Sequence, residues 1–133
     1  MTLGQLCTNL ELSKELKELG VKQESQFYWC YDYKNGEKSV EINQWIKYTE
    51  NRYKIICSAF LASELGEILP EKFYFQDRWY FFLTTWKRAT GEYGARYKPN
   101  TERNYLPAQI GKTEADARAK VVIYLIKNSL ITL

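Results

Sequence analysis

The stretch "DRWYFFLTTWKRATGEYGARYK", residues 77–98, decides the fold and raises the functional question together. Trp79, Tyr80, Phe81, Phe82, Trp86, Tyr93 and Tyr97 share it with Arg78, Lys87, Arg88, Arg96 and Lys98. Aromatic residues favour a pleated, half-buried strand, and "ATGE" (89–92) reads as the turn between two strands. In the longer strand, alternation sets Trp79, Phe81 and Leu83 on one side and Tyr80, Phe82 and Trp86 on the other. With "KFYF" (72–75) in front, the segment reads as two or three strands. An antiparallel sheet ordinarily keeps one face wet, yet here both faces carry large rings. Either helices cover both faces, or one aromatic face is open to bind something. Three amphipathic helices can be read elsewhere in the chain, enough to cover both, so coverage is the expectation.

Outward from this segment, "CTNLELSKELKELG" (7–20) reads as the first helix. Thr8 and Glu11 have capping-box spacing, Leu12, Leu16 and Leu19 form one stripe, and Gly20 suits the left-handed position that ends a helix. "QFYWCYDYKNGEKSVEI" (26–42) reads as a hairpin. Asn35-Gly36 suits a type I′ turn, in which both central residues take positive φ. Phe27, Trp29, Tyr31 and Tyr33 fall on one face, and Tyr28, Cys30 and Asp32 on the other. "NQWIKYTENRY" (43–53) fits a loop or a short helix equally. "KIICSAFLASELGEILP" (54–70) reads as a second helix with Cys57, Phe60, Leu61, Leu65 and Ile68 on its apolar face, stopped by Pro70. Gly66 inside it costs roughly 1 kcal/mol relative to Ala, which points to a close backbone approach or an early helix end. "PNTERNYLPAQIGK" (99–112) reads as a connecting loop.

"TEADARAKVVIYLIKNSLI" (113–131) is the clearest helix. Thr113 and Asp116 resemble a capping box. Glu114 and Asp116 sit at the positive end of the helix dipole and Lys127 at the negative end. Ala115, Ala119, Val122 and Ile126 make an i, i+4, i+7, i+11 stripe, with small residues first so that the helix can lie close to a sheet. The order α, ββ, α, ββ(β), α fits an α+β domain with an antiparallel sheet of two hairpins and amphipathic helices packed on it.

At 133 residues the chain fits one domain, 1–133, with 45% hydrophobic and 16% aromatic residues. The net charge is only +3. It is concentrated, however: from Arg78 to Arg103 six basic residues face the two acids Glu92 and Glu102. Such a run also keeps an exposed hairpin soluble and discourages edge pairing. Cys7, Cys30 and Cys57 are an odd number, widely spaced and without CxxC, which points to reducing cytoplasm and not to a disulfide framework. No basic, apolar leader is visible at the start. The longest apolar run, "VVIYLI" (121–126), is far too short for a membrane span.

Three segments carry a family resemblance. "LELSKELKELGVKQESQFYW" (10–29), "SAFLASELGEILP" (58–70) and "TEADARAKVVIYLIKNSLI" (113–131) are similar to a group of small proteins encoded in bacteriophage and prophage genomes, for which no activity is established. The resemblance implies a phage origin and a sheet between helices, an α-β-α sandwich. It transfers no catalytic residue.

The absence of histidine removes Ser-His and Cys-His nucleophile pairs and His-containing metal sites. No GxxxxGK[ST] or GxGxxG phosphate cradle occurs. Carboxylates remain: Glu64, Glu67 and Glu71 are near in sequence, and Asp77, Glu114 or Asp116 could join them at a metal site. Helix-surface solubility and capping account for the same residues. No enzyme activity and no cofactor is expected. Two binding roles follow. The first is a non-catalytic protein-interaction module, with another protein or a second copy as partner; "NSLITL" (128–133) leaves Leu130, Ile131 and Leu133 needing cover. The second is single-stranded nucleic-acid binding through the hairpin, with Trp86, Lys87, Arg88, Tyr93, Arg96, Tyr97 and Lys98 as the contact surface. Rings would stack on bases and cations would neutralise phosphates.

Overall fold

The structure, a computed structural model, describes residues 2–75, 78–99 and 106–132, and of residues 78, 81, 82 and 99 the backbone only. Along the chain run α1 (Leu3–Leu6), α2 (Leu10–Glu18), β1 (Phe27–Asp32), β2 (Lys38–Ile42), α3 (Asn43–Tyr48) and β3 (Tyr53–Ala59). Then come α4 (Ala62–Ile68), β4 (Lys72–Phe75), β5 (Arg78–Lys87), β6 (Tyr93–Pro99), β7 (Gln109–Gly111) and α5 (Glu114–Lys127). The architecture is α+β, with every strand pair antiparallel. None of the described helices is long and apolar enough to cross a membrane.

The strands form two sheets, ordered β2-β1-β3 and β4-β5-β6-β7. The reason they stay separate lies at the outer edge of β3. Ser58 N donates to Gln23 Oε1 at 2.7 Å, and Lys17 Nζ donates to the Ile56 carbonyl at 2.8 Å. Thr8 N donates to the Phe60 carbonyl at 2.9 Å, just beyond the strand. With these groups satisfied by the α2 region, a fourth strand has little to pair with on that edge.

β3 is the main departure from the sequence reading. Residues 54–70 are not one helix: 53–59 pair with β1, and only Ala62–Ile68 is helical. A short apolar run fits both periods, and Ile55-Ile56-Cys57 favours a strand once β1 offers an edge. The α4 start is fixed by Glu64, whose Oε1 accepts from Leu61 N at 2.8 Å. Its end falls before Pro70 as expected, with Leu69 already extended. Gly66 makes room for a side chain and not for a backbone: a Cβ there would lie 2.8 Å from Arg118 Nη1.

Smaller corrections have local causes. The cap of α2 is Asn9, whose side chain accepts from Leu12 N at 2.8 Å, and not Thr8. Thr8 is fully buried, with its Oγ1 accepting from Phe60 N at 3.1 Å, so it is committed elsewhere. Gly20 does close α2: Gly20 N donates to the Lys17 carbonyl and Val21 N to that of Leu16, at 3.1 and 3.0 Å. The β1–β2 turn is not type I′. It is a longer loop in which Gly36 takes positive φ and Asn35 does not. Asp32 organises that loop, accepting from Lys34 N at 2.9 Å and from Arg52 Nη2 at 3.0 Å. The hydrogen-bonded Arg52 holds the Asp32 carboxyl below the usual carboxylate range. The ambiguous segment after β2 is the short helix α3.

The main core lies between α5 and one face of the four-stranded sheet, closed by α2 and α4. Leu16, Phe60, Leu65, Tyr80, Ala95, Tyr97, Val122 and Leu125 are all buried there. The α5 stripe packs as its spacing predicted at Ala115, Ala119 and Val122, which are buried, and at Ile126, which is partly buried; Ala117 is buried as well, and the helix sits tightly on β6 and β7. Leu130 and Ile131 of the tail pack against the same core; Leu133 lies outside the described residues.

Thr113 caps α5, its Oγ1 accepting from Asp116 N at 3.1 Å. Asp116 is only 5% exposed, and its Oδ1 accepts from Asn9 N at 2.8 Å, tying the start of α2 to the start of α5. Burial pushes this carboxyl up, against the lowering effect of those hydrogen bonds. A raised folded-state value means that folding is favoured by the protonated form. That contribution is complete below about pH 4 and is lost as pH rises through the folded value. Asp116→Asn keeps an acceptor for Asn9 N and removes the charge. It is expected to be at least as stable as the parent at pH 7 and to flatten the stability profile just above pH 4. Asp116→Leu leaves Asn9 N unsatisfied and is expected to cost about 1–3 kcal/mol. Urea unfolding across pH 4–7 reads both; equal losses in the two variants would mean that the charge, and not the acceptor, matters.

Candidate functional site

The face of the four-stranded sheet turned away from the core is built by alternation in four strands and a bulge in one. Tyr80 of β5 faces the core, stacked on Phe73 of β4 with centroids 5.2 Å apart. Their neighbours Tyr74 and Trp79 therefore point outward; they pair across the strands with centroids 5.2 Å apart. Between Phe81 and Leu83 the β5–β6 register shifts by one residue. Such a bulge reverses which side chains face which way beyond it. Leu83 then joins Tyr97 on the core side, and Trp86 lies outward opposite Gly94. The sequence reading, which lacked the bulge, placed Trp79 with Leu83 and Tyr80 with Trp86. Both pairings are corrected. The side chains of Phe81 and Phe82 lie outside the described residues.

Without a side chain at Gly94, the Trp86 indole lies directly across the β6 backbone. A Cβ at Gly94 would come within 2.3 Å of that ring, so only glycine permits the arrangement. The Arg96 guanidinium sits 5.4 Å from the Trp86 centroid, and the Lys72 ammonium 5.0 Å from that of Trp79. Both distances suit cation–π attraction. Lys98 follows Arg96 on the same side of β6 and is exposed. Tyr74 is 54% and Trp79 40% exposed. The face thus presents Lys72, Tyr74, Trp79, Thr84, Trp86, Arg96 and Lys98, with Ile110 at its β7 border. No acidic side chain is among these described residues, and the helices that pack on this sheet do so from the opposite, core face.

The seven residues singled out from the sequence do not form one surface. Trp86, Arg96 and Lys98 lie on the outer face. Tyr97 belongs to the core and not to a contact surface: it is 1% exposed, its hydroxyl donates to the Pro70 carbonyl at 2.6 Å, and its ring meets Phe73 edge-on at 4.9 Å. Burial raises its phenol well above the ordinary range. Tyr93 also packs toward the core, with the Lys87 ammonium 5.8 Å from its ring. Lys87 and Tyr93 line a groove of about 520 Å³ with Leu6, Lys112 and Glu114. Arg88 belongs to the turn, 3.8 Å from Glu92. The sequence reading missed Lys72, Tyr74 and Trp79 as partners of Trp86. The alternation of "KFYF" carried a signal for β4, but nothing local marked the bulge.

Of the carboxylates that could form a metal site, Glu64, Glu114 and Asp116 already hold other partners. Glu64 caps α4 and accepts from Ser25 Oγ at 2.7 Å. Glu114 accepts from Arg118 Nη2 at 3.0 Å, and Asp116 holds Asn9 N. Among the described residues no three His, Cys, Asp or Glu side chains gather as a metal-holding group; Asp77 lies outside them. The three cysteines are buried and unpaired. Burial pushes the Cys7 and Cys30 thiols up to about 11, and Cys57 is raised for the same reason. Thiols held protonated in this way are poor nucleophiles.

Fold and site together define an α+β protein with one sheet face buried under helices and the other lined by aromatic and basic side chains. No family model matches the chain, and no curated protein or solved structure matches it either.

Proposed function

We propose that the protein is a non-catalytic binding module of the bacterial cytoplasm, of phage or prophage origin, that holds single-stranded nucleic acid on the outer face of its four-stranded sheet. One observation carries this reading: Tyr74, Trp79 and Trp86 share that face with Lys72, Arg96 and Lys98, and no described acid interrupts them. Exposed bases stack on aromatic rings whatever their sequence, and cations beside the rings neutralise the phosphates. A polyanion is the ligand whose charge complements this face.

Labelled oligothymidylate and oligouridylate, titrated by fluorescence anisotropy from 50 to 200 mM salt, test it. The three cations allow about three phosphate contacts, so the logarithmic salt slope for a single strand should be about −2. Trp86→Ala should weaken binding by about 5- to 150-fold, the range for losing one stacked base. Absent or salt-independent binding at 50 mM would rule the reading out.

A protein-partner reading draws on a different surface. Trp45 and Tyr48 of α3 stack with centroids 5.7 Å apart, and Tyr33, Tyr48 and Ile55 are exposed. Scattered apolar exposure is common on surfaces, so this reading ranks second, and pull-down with Tyr48→Ala beside the parent would test it.

A further inference from the structure

The outer face has two aromatic centres, not one. At one end Trp79 and Tyr74 pair across β5 and β4, with Lys72 above Trp79. At the other end Trp86 lies across Gly94, with Arg96 beside it. Both centres belong to the same strand, β5, seven positions apart. At about 3.3 Å per residue they are roughly 20 Å apart. The residues of this face that lie between them include Thr84 and, on β6, the cation Lys98. The bulge at Phe81/Leu83 is what brings Trp79 and Trp86 to one side; an odd separation in a regular strand would put them on opposite faces.

We infer that the face is a single track, and that one strand of nucleic acid must reach both centres at once to be bound at full strength. This rests on the nucleic-acid reading above and adds a length requirement to it. A strand keeping the stacked rise of about 3.4 Å per nucleotide covers roughly 20 Å with about six nucleotides, while an extended strand needs fewer, about four being the short end of single-strand site sizes. Below that length a ligand reaches one centre only. Above it, the second stack forms intramolecularly, at a high effective concentration. Affinity should therefore climb steeply with length and then level off.

The test is an anisotropy series at 50 mM salt with strands of 2 to 12 nucleotides, in thymidylate and uridylate arms so that DNA and RNA are told apart. The parent, Trp79→Ala, Trp86→Ala and both tryptophan-to-phenylalanine variants are compared. The parent is expected to gain at least about tenfold in affinity between three and seven nucleotides, the equivalent of one added stack, and less than about twofold from eight to twelve. Each alanine variant should erase that step for long strands while changing trinucleotide binding by no more than about twofold, since one centre survives. The phenylalanine variants, which keep a ring, should restore most of the step, an outcome that a merely structural role for the tryptophans does not produce. An affinity that is flat from the trinucleotide upward, or a step that survives loss of either tryptophan, overturns the single track and leaves the nucleic-acid reading standing. If no strand of any length binds, both fall together.

Discussion

Tyr97→Ala is expected to lower the free energy of unfolding by about 3–5 kcal/mol, the range for removing a large buried ring. Nothing in the residue's own sequence context announces this. Tyr97 sits in "GARYK" between two cations and reads as part of a basic surface. In the folded chain it fills the space between Phe73, Leu83 and the α4–β4 turn, and it is fully buried. Truncation removes the ring, leaves a void against Phe73 and strips the Pro70 carbonyl of its donor. Tyr97→Phe keeps the ring and loses only the hydrogen bond, so a loss of about 0.5–1.5 kcal/mol is expected. Urea denaturation of the two variants beside the parent separates packing from hydrogen bonding. If Tyr97→Ala stays within about 0.5 kcal/mol of the parent, as ordinary surface substitutions do, the assignment of this face of β6 to the core is wrong.

The second large effect concerns charge on the other side of the same strand. Arg96→Glu with Lys98→Glu should weaken single-strand binding at 50 mM salt by at least about 100-fold, and should reduce the salt slope from about −2 toward −0.7, the value for one remaining phosphate contact. Both positions are on the outer face, two residues apart, as strand alternation requires. Lys87→Glu with Arg88→Glu is the matched control. It makes the same charge change at the end of the hairpin, where Lys87 faces the core side and Arg88 pairs with Glu92. The control should leave the slope near its parent value. Equal losses from the two double variants would show that net charge alone attracts the ligand, and would remove the outer face as a defined site.

Seven residues of one hairpin look alike as a basic aromatic group, yet three go outward, three go to the core side and one stays in the turn. Whether Trp86 keeps company with Tyr80 or with Trp79 depends on one extra residue in β5, and a single-residue shift inverts every later side chain. No local preference of Phe81, Phe82 or Leu83 marks that site. The missed strand β3 has a different cause. Its apolar pattern is compatible with helix, and only the free edge of β1 makes the extended form the better one. Glu64 shows the reverse case: by sequence it is a candidate metal ligand, but once the chain folds its Oε1 accepts from Leu61 N and Ser25 Oγ and its Oε2 from Gln26 N.

What the sequence determined by itself is whatever depends on neighbours along the chain. The α+β class, the helix from Glu114 with its Thr113 cap and alanine stripe, the stop before Pro70, the closing of α2 at Gly20 and the strand character of β4, β5 and β6 all follow from residues within a few positions of one another. Tertiary structure alone decided the rest. It split the strands into two sheets, by occupying the outer edge of β3 with Lys17, Gln23 and Thr8. It chose which face of the four-stranded sheet α5 would bury. It brought Lys72 and Tyr74 beside Trp79, and Trp86 over Gly94, so that aromatic and basic side chains from three strands share one surface. The physical reason is that strand pairing and facing are set by partners distant in sequence, whose contacts outweigh the small local differences in propensity that a sequence displays.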